Sequence, residues 1–295
     1  MSGLSPNLRG ILLMLAATAA FTINDTMLKL VTVDLPPFEA VFLRSLAICI
    51  IGWPMMAISG DLRSAGRMAD GRVMFRNLFE LIAVFGFMLG LAYAPIADLT
   101  AISQLSPMLL LIGAVWFFGE KMSRLQLSLV FVAFAGALLV AQPGGSGFAP
   151  FALFGFWNAG CVAIRDLLGR RIGRDVPGLV VAIGSGFVVL IGTGVATMLF
   201  ETWVWPSVAA CALIAGSAVF VVLGHWLIFS SFRAAPVSIV APFCYASTIW
   251  ALISGVLVFG SVPNALSMAG MALIVGSGVV VVAVERWATR SAVMP

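Results

Sequence analysis

Apolar runs of about twenty residues follow one another along this 295-residue chain, separated by short turns. They fall at 11–32, 39–59, 73–94, 97–118, 127–142, 151–170, 178–200, 208–232, 237–259 and 265–285. An α-helix rises about 1.5 Å per residue, so about 20 apolar residues cross the ~30 Å core of a bilayer. The breaks carry turn chemistry: Pro36-Pro37, Ala94-Pro95, Pro143-Gly144-Gly145, Trp205-Pro206, Ala235-Pro236 and Pro263-Asn264. The expected fold is an all-α integral membrane protein of ten transmembrane helices. Charged residues are only 9% of the chain and hydrophobic ones 62%, whereas a soluble domain is about a quarter charged. The runs are also too long for the strands of an outer-membrane barrel, which alternate over about ten residues.

Lysine and arginine set the orientation, because they concentrate on the cytoplasmic side. With the N-terminus inside, Arg9, Arg63, Arg67, Arg72, Lys121, Arg124, Arg170, Arg171, Arg174, Arg233, Arg286 and Arg290 all fall in inner loops and tails. The outer loops then hold Asp34, Asp98 and Glu201 and no basic residue. This predicts a multi-pass membrane protein with both termini cytoplasmic. The net charge of +4 suits anionic headgroups, so nucleic acid is not an expected partner. The first run holds Asp25 and Lys29 and lacks a small-x-small cleavage site before them, so it reads as the first span rather than a leader.

The chain repeats itself. A shift of 141 residues places Asp25 on Asp166, Lys29 on Arg170 and Pro36 on Pro177. It also places Ala94-Pro95 on Ala235-Pro236 and Phe118-Gly119 on Phe259-Gly260. Two five-helix repeats are therefore expected at 8–143 and 150–286, with tails at 1–7 and 287–295. Five is odd, so the second repeat enters the membrane from the opposite side. Inverted repeats of this kind belong to secondary transporters, whose cargo site lies near the midplane between the halves.

Charge at membrane depth is costly and marks candidate function. Asp25 and Lys29 are four apart and share a helix face. They read either as an intrahelical ion pair with Lys29 reaching outward, or as a cavity-facing pair that meets polar cargo or a proton. Arg44 lies more than a turn into the second span. It can clamp a carboxylate or phosphate, or neutralise Asp25 or Glu39. Arg76 reads as an interface anchor. Glu80, a turn deeper, is a candidate proton carrier, a role that pairing with Arg76 opposes. Arg165, Asp166 and Arg170 read as a structural cluster near the inner surface. His225, the one histidine, is either a hydrogen-bonded structural residue or a proton-coupling group. Gln104, Pro107, Pro242 and Tyr245 are polar or helix-breaking features at depth, and read as cargo contacts or as kinks. The candidate substrate-binding or coupling set is Asp25, Lys29, Arg44, Glu80, Gln104, His225 and Tyr245.

Cys49, Cys161, Cys211 and Cys244 all sit in apolar runs without metal-like spacing and read as packing residues. The chain has no P-loop, no His/Cys cluster and no nucleophile-base-acid set at one interface. No metal, cofactor or enzymatic activity is expected. A membrane-embedded enzyme would gather its catalytic side chains at one interface, and here the charges are spread through the helices. An integral scaffold or channel subunit without a transport cycle is a further alternative, and the inverted repeat argues against it.

Several stretches carry a family resemblance. They are 76–95, ending in Tyr93-Ala94-Pro95; Ser106-Pro107; Phe117-Phe118-Gly119-Glu120-Lys121; and 235–242, opening with Ala235-Pro236. Across about residues 8–286 the chain resembles the EamA group of the drug/metabolite transporter superfamily. The Asn24-Asp25-x-Met27-x-Lys29 and Phe38-Glu39-x-x-Phe42-x-Arg44 patterns resemble the subgroup of bacterial S-adenosylmethionine uptake carriers, and a riboflavin-carrier subgroup is similar in outline. The resemblance implies a carrier of a small polar organic metabolite in the bacterial inner membrane, with uptake favoured over the alternative, export of amino acids, metabolites or drugs on the same fold. Membrane lipid around the basic loops, protons as coupling ion through Glu80 or His225, and a homodimeric second copy are the further partners expected. Many members end both fourth helices in Gly-Glu. Here Gly119-Glu120 is matched by Gly260-Ser261, so a role shared by two glutamates is not available.

Overall fold

The computed structural model describes residues 5–93, 103–120, 122–141, 152–173, 175–260 and 264–291. Ala94-Pro95, Asp98, Lys121, Pro143-Gly144-Gly145, Arg174, Ser261, Pro263 and the side chains of Arg286 and Arg290 lie outside the described residues.

The described residues form helices α1 (Pro6–Val31), α2 (Pro37–Ser59), α3 (Gly71–Tyr93), α4 (Ser106–Phe118), α5 (Arg124–Ala141), α6 (Ala152–Arg171), α7 (Gly178–Phe200), α8 (Val208–Ala234), α9 (Val237–Cys244), α10 (Ala246–Phe259) and α11 (Ala265–Ser291). A 3₁₀ helix at Asp61–Ala69 fills the basic connection between α2 and α3. Six stretches among the described residues are long and apolar enough to cross a membrane: Pro6–Val31, Pro37–Ser59, Gly71–Gly90, Gly178–Phe200, Val208–Ala234 and Val237–Phe259.

Local chemistry sets the helix ends. Ser5 caps α1 by accepting from the Leu8 N–H at 3.3 Å, with Pro6 at the first helical position, where its missing N–H is not needed. Ser207 caps α8 in the same way, accepting from Ala210 at 3.1 Å. Gly119 and Gly260 end α4 and α10 in the left-handed region, with φ of 63° and 64°. Glycine takes this conformation without a Cβ clash, and the turn throws the next residue across the helix end. The ninth apolar run is divided rather than continuous. Pro242 cannot donate into the helix, and α9 stops at Cys244, Tyr245 making the joint with α10.

Helices before residue 142 pack chiefly on helices after 151: α1 on α8, α2 on α7, α3 on α6 and α5 on α11, with α4 on α6 and α10 on α1 beside them. Small residues make the closest approaches. A Cβ on Gly136 would stand 2.7 Å from the Gly270 carbonyl oxygen, and one on Gly10 would stand 2.5 Å from the Ala235 Cβ. Helix bounds recur at the 141-residue shift, with Pro37–Ser59 matching Gly178–Phe200. The pairings also recur: α1 on α8 corresponds to α6 on α3, and α1 on α10 to α6 on α4.

Each end of the bundle is tied by polar contacts. At one end, Arg233 donates to the carbonyls of Gly173 and Val176 at 2.7 and 2.8 Å. At the other, the Glu201 carboxylate accepts from the Phe38 and Glu39 N–H groups, both at 2.8 Å. These donors open α2 and have no partner within the helix, so the carboxylate caps it. Glu39 in turn accepts from the Val204 N–H at 3.0 Å.

Candidate functional site

Charged and amide side chains meet midway along α1, α2, α3, α6 and α8. Arg76 and Glu80 are one helical turn apart and share the face of α3 that packs on α6. Arg165 Nη1 of α6 donates to Glu80 Oε2 at 3.0 Å, and Arg76 Nη2 lies 3.4 Å from the same oxygen. His225 Nε2 of α8 lies 3.7 Å from Glu80 Oε1, and its Nδ1 is 3.3 Å from Arg76 Nη2. Arg165 Nε donates to Asp166 Oδ1 at 2.7 Å, and Arg76 Nη1 donates to Asn77 Oδ1 at 3.0 Å. Two guanidinium groups thus face two carboxylates, all buried. Desolvating such charges is tolerable only when each is paired and hydrogen-bonded. A cavity of about 10 Å³, room for roughly one water, borders Arg76, Arg165, Asp166 and His225.

A second group centres on Asn24 of α1. Its Nδ2 donates to Asp25 Oδ1 at 2.8 Å, and its Oδ1 accepts from Arg44 Nη1 at 3.3 Å and from Ser217 Oγ at 2.7 Å. One amide therefore stands between an acid and a base. Asn24 and Arg44 are buried, whereas Asp25 is exposed. Arg44 Nε has no hydrogen-bond partner among the described residues. Arg44 is a charged neighbour of both Asp25 and Glu80, which joins the two groups.

The other candidate residues make their contacts elsewhere. Lys29 does not reach Asp25. Its Nζ lies 4.4 Å from the centroid of the Phe259 ring. Gln104 donates to Thr248 of α10. Tyr245 is fully buried, its ring 6.2 Å from that of Phe134 and its hydroxyl without a partner among the described residues. Glu39 holds Val204 at the end of the bundle instead of neutralising Arg44.

The structure revises several sequence-based expectations. Arg76 is a buried partner of Glu80 rather than an interface anchor. Arg165 and Asp166, expected to form a structural cluster near the inner surface with Arg170, instead join the buried network around Glu80. Asn24, Asn77 and Ser217 join the network without being among the candidates. The available signal was charge of opposite sign at matching depth in different spans, Glu80 against Arg165. The amides and the serine carry no such signal, because uncharged polar residues are ordinary in membrane helices.

Residues 8–142 match the EamA-like transporter family. Over 273 residues the chain is 25% identical to the pseudopaline exporter of Pseudomonas aeruginosa, covering 90% of this chain and 93% of that protein. It is 26% identical to the riboflavin transporter of Vibrio cholerae, covering 96% and 95%. It is 24% identical to an S-adenosylmethionine uptake transporter of Rickettsia bellii, covering 89% of each. A crystal structure of 21% identity superposes with a TM-score of 0.80 over 94% of this chain and 98% of that one, which shows a shared fold. Named transporters thus align along nearly the whole chain, and its residues 8–142 carry the match to the EamA-like transporter family.

Proposed function

We propose that this protein is a secondary carrier of the bacterial inner membrane, with ten transmembrane helices in two inverted repeats, 8–143 and 150–286, and both termini cytoplasmic. It moves a small polar organic metabolite by alternating access, the halves rocking about the mid-depth polar groups. The recurrence of helix bounds and helix pairings at a shift of 141 residues supports this arrangement.

The observation that carries the cargo reading is the Asp25–Asn24–Arg44 relay. An accessible carboxylate and a buried guanidinium with a spare N–H share one amide. The carboxylate offers an acceptor for a cationic group, and the guanidinium N–H, sealed from the surface in this conformation, becomes a donor for an anionic one close by when the halves rock apart. A zwitterionic metabolite offers both. S-adenosylmethionine-like cargo, which ends in an ammonium and a carboxylate, therefore fits better than riboflavin-like cargo. Uptake is the favoured direction. Export is the alternative, supported by a relative of similar identity that is an exporter.

Glu80 faces two arginines and serves as a structural hinge-pin between α3 and α6 rather than as the proton carrier. Asp25, accessible and with no cation within 4.0 Å among the described residues, is the better coupling group. A homodimer is compatible with this reading and not required by it.

The test is a thermal-shift screen of the purified protein against S-adenosylmethionine, riboflavin and pseudopaline, followed by uptake into proteoliposomes. A ligand bound only by the folded state raises apparent stability. S-adenosylmethionine should stabilise the protein and drive counterflow. Stabilisation by riboflavin alone would reject the zwitterion reading, and no counterflow with any metabolite would reject the carrier.

A further inference from the structure

The two ends of the molecule carry the same contact in two strengths. At one end the Arg170 guanidinium of α6 lies 4.7 Å from the centroid of Phe118, the last residue of α4. At the other end, Lys29 of α1 lies 4.4 Å from the centroid of Phe259, the last residue of α10. The 141-residue shift converts one pair into the other: Lys29 into Arg170, and Phe118 into Phe259. In each case a cation from the first helix of one half covers the aromatic end of a helix from the other half.

The two ends part company just beyond the aromatic residue. Gly119 turns the chain left-handed, and Glu120 then reaches three groups at once. It pairs with Arg170, and it accepts from the Val237 and Ser238 N–H groups of α9 at 3.3 and 3.1 Å. These N–H groups open α9 behind Pro236 and have no acceptor within the helix, so the carboxylate caps it while holding Arg170. At the Lys29 end the sequence has Ser261 in place of the glutamate. No carboxylate lies within 4.0 Å of Lys29 among the described residues.

The helix contacts behind these clusters differ in the same sense. On the Glu120 side, Leu167 of α6 presses on Gly113 of α4 so closely that a Cβ there would stand 2.4 Å from Leu167 Cδ1. The corresponding positions, Thr26 of α1 and Ser254 of α10, meet through hydroxyls 2.6 Å apart. One seam is dry and interlocked. The other is polar, and its hydroxyls have an alternative partner in water.

We propose that Glu120 is a gate residue: its contacts with Arg170 and the α9 N-terminus latch α4 and α6 to α9 at the Arg170 end of the carrier, and the α1–α10 seam at the Lys29 end, which has no such carboxylate among the described residues, is the one that parts at rest. Each transport cycle breaks the Glu120 latch once. The inference rests on the alternating-access reading above, under which the latched end is cytoplasmic.

The test uses the full chain with its four cysteines changed to serine and a single cysteine introduced at Ser103, half-buried beside Asn158. A membrane-impermeant maleimide is applied to right-side-out and inside-out vesicles. The parent should label mainly from the Lys29 end. E120Q should label about fivefold faster from the Arg170 end, the size of effect expected for a lost helix cap, and more slowly from the other. F259A, at the opposite end, should strengthen the parent's preference. If E120Q misfolds, R170Q, which spares the α9 cap, should shift labelling in the same direction as expected for E120Q. Folded E120Q and R170Q with the parent's preference, while F259A shifts it, would overturn the latch and leave alternating access standing. No end preference in any variant, with or without cargo, would overturn both.

Discussion

Arg165 donates to Glu80 at 3.0 Å across the interface between α6 and α3, so a base from late in the chain neutralises an acid from early in it. The same carboxylate faces Arg76 and His225, which makes it the point where three helices meet. Replacing Glu80 with Gln would leave two buried guanidinium groups short of an anion. Breaking a buried pair from one side costs about 3–5 kcal/mol. E80Q should therefore lower the thermal transition of the detergent-purified protein sharply or abolish folded yield. The double variant R76M/E80Q, which also removes the cation that has Glu80 as its counter-charge and leaves the Arg165–Asp166 pair in place, should recover part of the loss. Equal stability of E80Q and the parent would show that the network carries no energy.

Asp25 is exposed and has no ion-pair partner among the described residues, so its loss should leave the fold intact. D25N should melt with the parent while losing about ten- to a hundredfold in cargo affinity, the scale of one charge-assisted hydrogen bond. R44K keeps the charge but not the fork that reaches Asn24, and should also lose affinity. Titration calorimetry on the folded variants decides. Parental affinity in both would move the cargo site away from this relay.

Tyr245 discriminates packing from cargo contact. Its hydroxyl is buried without a partner among the described residues, a placement that costs about 1–3 kcal/mol. Y245F should raise or preserve the melting temperature and leave transport unchanged. A stable Y245F with impaired uptake would show that the hydroxyl meets cargo in another state of the cycle.

Gly136 tests the contact between α5 and α11. A methyl group there would meet the Gly270 carbonyl oxygen at 2.7 Å, and a backbone atom cannot swing aside as a side-chain tip can. G136A should cost about 1–3 kcal/mol, as overpacking does elsewhere. Gly66, with open space around its missing Cβ, is the control, and G66A should be neutral in the same melting assay.

Much of the architecture could be read from residue patterns, because bilayer thickness fixes helix length and proline and glycine mark the breaks. The joint at Tyr245 was less visible. Pro242 announces a kink, but only packing decides whether the helix bends or stops. For the site, charge was legible and partnership was not. Asp25 and Lys29 share a face, yet Asp25 turns to Asn24 beside it on the same helix and Lys29 turns to Phe259 of α10. Arg76 and Arg165 looked peripheral by their distance from helix ends. Their guanidinium groups reach inward to Glu80, and a long side chain on a tilted helix can point either way. Asn24 was hidden, since an amide between two charges leaves no mark in composition.

The span between Glu80 and its partner has a consequence during synthesis. Arg165 follows Glu80 by 85 residues, and His225 comes later still. The ribosome therefore delivers α3 to the membrane long before its counter-charges exist. Until α6 arrives, Glu80 has Arg76 alone, and Arg44 has only Asn24 and the nearby Asp25. The charge balance of the early helices is thus closed only by residues translated after them, and the order of synthesis leaves Glu80 on its local partner until α6 and α8 are made.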